Sequence, residues 1–234
     1  LSKGDMANTG SVLTGGDLNA TTSGAFASSG ELEAVGLLTV DAYGSFDNSG
    51  SALSGGDLTV TAQTGAFSNS GSIGSNSDTV LSSALDWTNT GELRANGISI
   101  VSGGDFTSKN LITAAGDLGI GVQGKVVNTG SIKVGGDVEI TAVTGLFGNS
   151  GTIWTNGNAL LTSAKDMENV GQVSFGGNVI ATTDGSFINK NVFIVDGTTR
   201  IQAANNFTNS GGLESVGNID ITAVSGYFNN TALL

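Results

Sequence analysis

Phe67-Ser68-Asn69-Ser70-Gly71-Ser72-Ile73 and Phe147-Gly148-Asn149-Ser150-Gly151-Thr152-Ile153 spell nearly the same phrase within one chain. Working outward, its first residue recurs as Met6, Phe26, Phe46, Phe67, Trp87, Phe106, Val126, Phe147, Met167, Phe187, Phe207 and Phe228, at spacings of 19, 20 or 21 residues. Two positions after each of these anchors stand Asn8, Asn48, Asn69, Asn89, Asn128, Asn149, Asn169, Asn189, Asn209 and Asn230, with Ser28 and Ser108 as the two exceptions. Four positions after the anchor the residue is Gly except at Asn110, Asn191 and Ala232, and six positions after it the residue is apolar throughout. A period of this length is the mark of stacked repeats and has to be recognised before any single-domain reading is attempted.

Inside each repeat the pattern alternates every second residue. Leu58-Thr59-Val60-Thr61, Val138-Glu139-Ile140-Thr141 and Ile219-Asp220-Ile221-Thr222 put aliphatic residues on one face and polar ones on the other, which describes half-buried strands. Gly, Asn and Asp bound them, as in Gly55-Gly56-Asp57 and Gly135-Gly136-Asp137. Such boundaries predict tight turns with glycines at positive φ. No helical period or cap is found.

Short strands at this spacing suit either an antiparallel sandwich or a solenoid, and the columns decide between them. In a parallel β-helix each coil lies about 4.8 Å above the last, so equivalent residues stack on their own kind. The sequence therefore predicts an all-β, right-handed parallel β-helix of about 12 coils, one repeat segment over residues 1–234 and a rod about 55 Å long. Phe26, Phe46, Phe67, Trp87, Phe106, Phe147, Phe187, Phe207 and Phe228 form its aromatic core stack, and the Asn column forms a buried amide ladder. In the 21-residue repeats, Thr61-Ala62-Gln63-Thr64-Gly65 and its counterparts at 141–145 and 222–226 place the extra residue in the turn before the anchor. Their spacing, and the endings Lys109-Asn110 and Lys190-Asn191, indicate a duplicated unit of four coils.

Composition removes several functions. With eight Lys and Arg against a net charge of −12, no basic stripe exists for nucleic acid or an anionic membrane. No apolar run is long enough to insert into a membrane. The chain has no Cys and no His, which rules out disulfides, thiolate metal sites and histidine-based catalysis. No metal site and no cofactor is predicted.

The phrases around Phe67, Trp87 and Phe207, with the intervening stretches of the type Gly55-Gly56-Asp57-Leu58-Thr59-Val60-Thr61-Ala62, resemble the repeats of filamentous haemagglutinin. These repeats are shared by the two-partner-secretion exoproteins of Gram-negative bacteria, including contact-dependent growth-inhibition stick proteins. The resemblance covers essentially the whole chain. It implies export through a dedicated outer-membrane transporter, and a secreted or cell-surface filament that adheres to a host or target-cell receptor or carries a toxin. The secretion domain of that family usually holds Asn-Pro-Asn motifs, and this chain has no proline. The pattern runs through both ends, as an internal segment of a longer exoprotein would.

The Asn column matches the coil period and has core neighbours, which favours a ladder over a glycan or metal array. Asp17, Asp57, Asp105 and Asp137 each follow Gly-Gly, but the nonapeptide of calcium-binding β-rolls is absent, so turn chemistry accounts for them better. A polysaccharide-cleaving enzyme would need two carboxylates held across a sugar. Glu31 with Glu33, and Asp5 with Asp86 and Asp166, are features of the repeat rather than local departures from it. Thr-x-Thr ranks are too mixed for ice binding, and the sequons at Asn19, Asn206 and Asn229 fit Asn- and Thr-rich turns. Phe193 falls in a second core column, whereas Tyr43, Trp154 and Phe175 lie outside the anchor column, with Trp154 and Phe175 as candidates for an adhesive patch. The resulting reading is a structural stalk, with a direct adhesin as the alternative and a polysaccharide-cleaving enzyme as the least favoured.

Overall fold

The computed structural model describes residues 2–232. Three strands make each coil. The first sheet has 12 three-residue strands, from Met6–Asn8 to Phe228–Asn230. The second has 11 strands, from Ser11–Thr14 to Leu213–Ser215, and the third has 11, from Leu18–Thr22 to Ile219–Ala223. Every strand pairs in parallel with its equivalents one coil below and one above, as in Phe46↔Phe67↔Trp87. The chain is thus an all-β parallel solenoid of eleven complete turns, closed by a twelfth anchor strand.

Alternation puts one face of each sheet inside. In the third sheet Leu58, Val60 and Ala62 are buried, with Thr59 and Thr61 turned outward. Leu93 and Ala95 do the same in the second sheet. Stacked coils make one continuous core along the rod. Small buried residues, among them Ala34, Ser54, Ala95 and Thr155, end most second-sheet strands where the chain turns.

Coil-length differences are absorbed at corners. Leu38–Ala42 pairs with Leu58–Ala62 without a bulge, and Phe46 pairs with Phe67, so the extra residue lies between Ala62 and Phe67. Thr64 fixes it there: its backbone N–H donates to the Tyr43 carbonyl at 2.9 Å and its hydroxyl to the same oxygen at 2.5 Å. Thr144 repeats this arrangement on Gln123, and Ser225 on Ala204. The one short coil loses its residue at a different corner, between Ala95 and Ile98.

The turns differ from the sequence expectation in one respect. Among the described residues only Gly4 has a positive φ, at 111°. The Gly column exists for close approach. A Cβ on Gly50 would stand 1.9 Å from the Gly30 carbonyl oxygen, and one on Gly71 would stand 2.0 Å from that of Gly50. Where Asn replaces Gly, the ladder adjusts. Pairing with the coil below begins one residue later, at Leu93↔Ile112 and Val173↔Phe193. The Asn side chain supplies another bond between coils, Asn110 Nδ2 to the Thr90 carbonyl at 3.2 Å and Asn191 Nδ2 to that of Val170 at 3.0 Å.

Candidate functional site

Inward-facing side chains from the first sheet build two columns. Asn48 Nδ2 donates to Asn69 Oδ1 at 2.9 Å, and Asn69 Nδ2 to Asn89 Oδ1 at 2.9 Å. A second run passes from Asn128 through Asn149, Asn169, Asn189 and Asn209 to Asn230, with each Nδ2 2.8 or 2.9 Å from the next Oδ1. All donors point toward the C-terminal end. The second Nδ2 proton serves backbone: Asn69 reaches the Glu92 carbonyl at 3.2 Å and Asn189 that of Gly212 at 3.0 Å. This uses the full donor capacity of a primary amide. Asn8 stands apart, half-buried and bonded to Ser28 Oγ at 3.2 Å.

Serine interrupts the column at two places, where its hydroxyl donates to a carbonyl of its own coil instead of to the coil above. Ser28 Oγ turns to the Gly30 carbonyl, leaving Asn48 Oδ1 buried without a partner. Ser108 Oγ turns to the Asn110 carbonyl at 3.3 Å, and Asn89 Nδ2 is left buried without an acceptor.

The aromatic column is also divided. Phe26, Phe46, Phe67, Trp87 and Phe106 follow one another with ring centroids 4.8–5.7 Å apart. Val126 then intervenes, and Phe147 sits between Val126 and Met167. Stacking resumes at Phe187, Phe207 and Phe228, at 5.6 and 4.9 Å. Phe228, on the last described strand, is half exposed. Phe193 packs edge-on to Phe187 at 5.8 Å and joins the core.

Phe175 is not a surface residue. It is fully buried at the end of its strand, 5.5 Å from Phe193. The third-sheet strands of these coils start with Ala159, Val179 and Thr199, where other coils have Leu58 or Leu118. Its burial removes it from the adhesive patch for which its place outside the anchor column made it a candidate. Trp154 does face outward, 44% exposed, beside Lys133 in the ladder. Tyr43 is exposed at a corner.

The corner carboxylates bond across coils rather than within their own turns. Asp17 Oδ1 accepts the Leu37 N–H at 2.9 Å, Asp117 that of Asp137 at 2.8 Å, and Asp137 that of Asn158 at 2.7 Å. Asn158 and Asn178 do the same with their amide oxygens. Asp5, Asp86, Asp105 and Asp166 form a parallel set at the corner before the anchor, accepting from Ala25, Asp105, Lys125 and Ser186. Asp105 thus belongs to a different corner from Asp17, Asp57 and Asp137, although all four follow similar residues. A Ser77 hydroxyl and, second, the Asp78 N–H lower the pKa of Asp57 below its usual value. Glu31 and Glu33 lie on the outer face of one strand, around buried Leu32.

Among the described residues no group of three or more carboxylates could hold a metal ion, and no helix is long and apolar enough to cross a membrane. Two open surface grooves, about 670 and 700 Å³, lie over the second and third sheets. The first runs past Glu33, Leu53 and Arg94 over the dent left by Gly74, and the second past Glu139, Leu160 and Ile180 beside Gly119. The ion pairs Arg94–Glu92, Lys125–Asp105, Lys190–Glu168 and Arg200–Asp220 are all solvent-exposed and contribute little to stability.

Against this geometry, the model of the haemagglutinin repeat matches residues 2–50, 53–110, 109–171 and 156–234. The chain belongs to the haemagglutinin repeat family. Neither the curated proteins nor the solved structures gave a match to it. In this haemagglutinin-repeat chain the recurring phrase has a physical meaning: aromatic core, amide ladder, close-approach Gly and second-sheet aliphatic, in that order. Family membership accords with a filamentous, extracellular or cell-surface protein of structural type.

Proposed function

We propose that this chain is a stalk segment of a secreted or cell-surface filament of a Gram-negative bacterium, spacing adhesive or toxic domains away from the cell. The observation that carries the reading is that core, ladder and corner residues all serve coil-to-coil contact along the whole rod. A solenoid of this kind converts chain length into reach at a constant rise per coil. Family membership supports the filament, and the absence of cysteine leaves each coil free to form without disulfide pairing, which suits export through an outer-membrane transporter.

The test is to delete one four-coil unit from the full-length exoprotein and measure both the reach of the filament by electron microscopy and cell-surface activity. A stalk shortens by the rise of four coils and keeps its activity in part. Complete loss of activity with unchanged folding of the remainder would show a direct binding role. That second reading rests on Trp154 beside Lys133 on the outer face, a pairing able to stack on and charge-match a glycan. Saturable glycan-array binding by the isolated chain, lost in Trp154→Ala, would establish it.

A further inference from the structure

The coil that begins at Phe106, taken with its interfaces to the coils below and above, departs from the repeat at five places. Below it, the ladder is open: Asn89 Nδ2 is fully buried and unpaired because Ser108 does not reach it. On the same strand, the Trp87 indole N–H is also buried without a partner. Lys109-Asn110 replaces the usual Gly ending, and pairing with the second-sheet strand below starts only at Leu93↔Ile112. Above it, Val126 ends the ring stack that began at Phe26. Its third-sheet strand, Leu118–Val122, carries Gly119 and Gly121 on the outer face.

Those two glycines are informative because packing does not require them. A Cβ at either position would meet nothing within 4 Å, unlike one on Gly71. Glycine inside a strand loosens it through backbone entropy and the loss of cross-strand side-chain contacts.

Two other coils serve as internal controls. Ser28 opens the ladder as well, but there Phe26 still stacks on Phe46 at 5.7 Å and all four second-sheet pairs with the coil below, from Ser11↔Glu31, are kept. Lys190-Asn191 shares the unusual ending, but Asn189 still bonds Asn209 at 2.8 Å and Phe187 still stacks on Phe207. Among the described residues, only the coil beginning at Phe106 combines these departures with those of the interfaces on either side.

In a solenoid, stability is close to a sum of nearest-neighbour terms, so losses concentrated in one coil create a local minimum. We infer that the coil spanning residues 106–125 is a built-in yield point, where the rod opens before the coils on either side and which divides it into two cooperative units. The feature is independent of whether the rod is a stalk or an adhesin.

Native-state hydrogen exchange of the whole 234-residue chain, read by mass spectrometry, tests this. The strand amides of residues 106–125 should exchange about tenfold or more faster than those of the coils beginning at Phe67 and Phe147, the rate equivalent of one net buried hydrogen bond. Equal protection across the three coils would overturn the inference. Restoring the repeat with Ser108→Asn and Val126→Phe together should raise protection of this coil to that of its neighbours. Asn149→Ser should create a second minimum around residue 149. Failure of the first to raise protection, or of the second to lower it, would show that ladder and stack do not set local stability.

Discussion

The side-chain amide of Asn149 stands 2.8 Å from Oδ1 of Asn169, one coil above, while its own Oδ1 accepts from Asn128 one coil below at 2.8 Å. Each amide in the run is therefore both donor and acceptor in a buried chain where no water competes. Replacing Asn149 by Leu would strand two partners at once. Each buried unpaired group costs about 1–3 kcal/mol, so Asn149→Leu should lower the denaturation midpoint clearly. Ser150→Ala, next along the chain on an exposed position, should stay within about 0.5 kcal/mol. Urea unfolding of both variants against the parent makes the comparison, and equal tolerance would contradict the ladder.

The divided ring stack predicts that buried phenylalanines are not equivalent. Phe46 has a ring on each side, Phe26 at 5.7 Å and Phe67 at 4.8 Å. Phe147 lies between Val126 and Met167. Truncation to Ala should cost about 3–5 kcal/mol at either site through transfer and cavity terms. Substitution by Leu should separate them, because an aromatic pair adds about 0.5–1.5 kcal/mol beyond burial. Phe46→Leu should be the more damaging of the two, as measured by equilibrium unfolding.

How far the rod could be read in advance depended on which property repeats. The anchor, Asn and aliphatic columns were legible because stacking places each residue on its counterpart, so burial leaves the same chemical type at each step, as at Asn69 and Asn149. The extra residue before Phe67 was legible because a corner tolerates insertion and a paired strand does not. Phe175 was not legible. It ends a second-sheet strand at a position where other coils carry Ala34, Ala95 or Thr155, so no column of like residues marks it as core. The bonding direction of Asp17 and Asp137 was also hidden, because a turn acceptor and a cross-coil acceptor use the same residue types. The glycines that bound the strands differ from expectation in their reason: Gly55 and Gly135 are needed by the oncoming carbonyl oxygens of Val35 and Ala115, not by a left-handed φ.

That distinction gives a paired test. Gly71→Ala would bring a methyl to 2.0 Å from the Gly50 carbonyl oxygen, forcing the coils apart, and should destabilise by about 1–3 kcal/mol as overpacking does. Gly119→Ala meets open space and has an ordinary backbone. It should be neutral or stabilise by up to about 1 kcal/mol, chiefly by reducing unfolded-state entropy. Thermal unfolding of the two variants should therefore move in opposite directions, or in one direction only for Gly71→Ala.

Acid should loosen the corner at Asp57. The Ser77 hydroxyl, followed by the Asp78 N–H, holds the carboxyl of Asp57 below its ordinary value of 3.8. A group whose native pKa is lowered contributes stability that is fully present above the unfolded value and is lost as pH falls through the native one. The contribution of Asp57 should therefore persist at neutral pH and begin to fade only as the solution approaches pH 3.8 from above. Removing the leading cause with Ser77→Ala should move the carboxyl back toward its ordinary range, visible as a higher titration midpoint of its carbon resonance. Asp57→Asn separates charge from bonding, since Asn158 and Asn178 already accept the next coil's N–H with a neutral amide at the same corner. That variant should keep neutral-pH stability close to the parent while its acid limb flattens. A large loss at pH 7 would mean that the charge of Asp57, and not its geometry as an acceptor, holds that corner to the coil above.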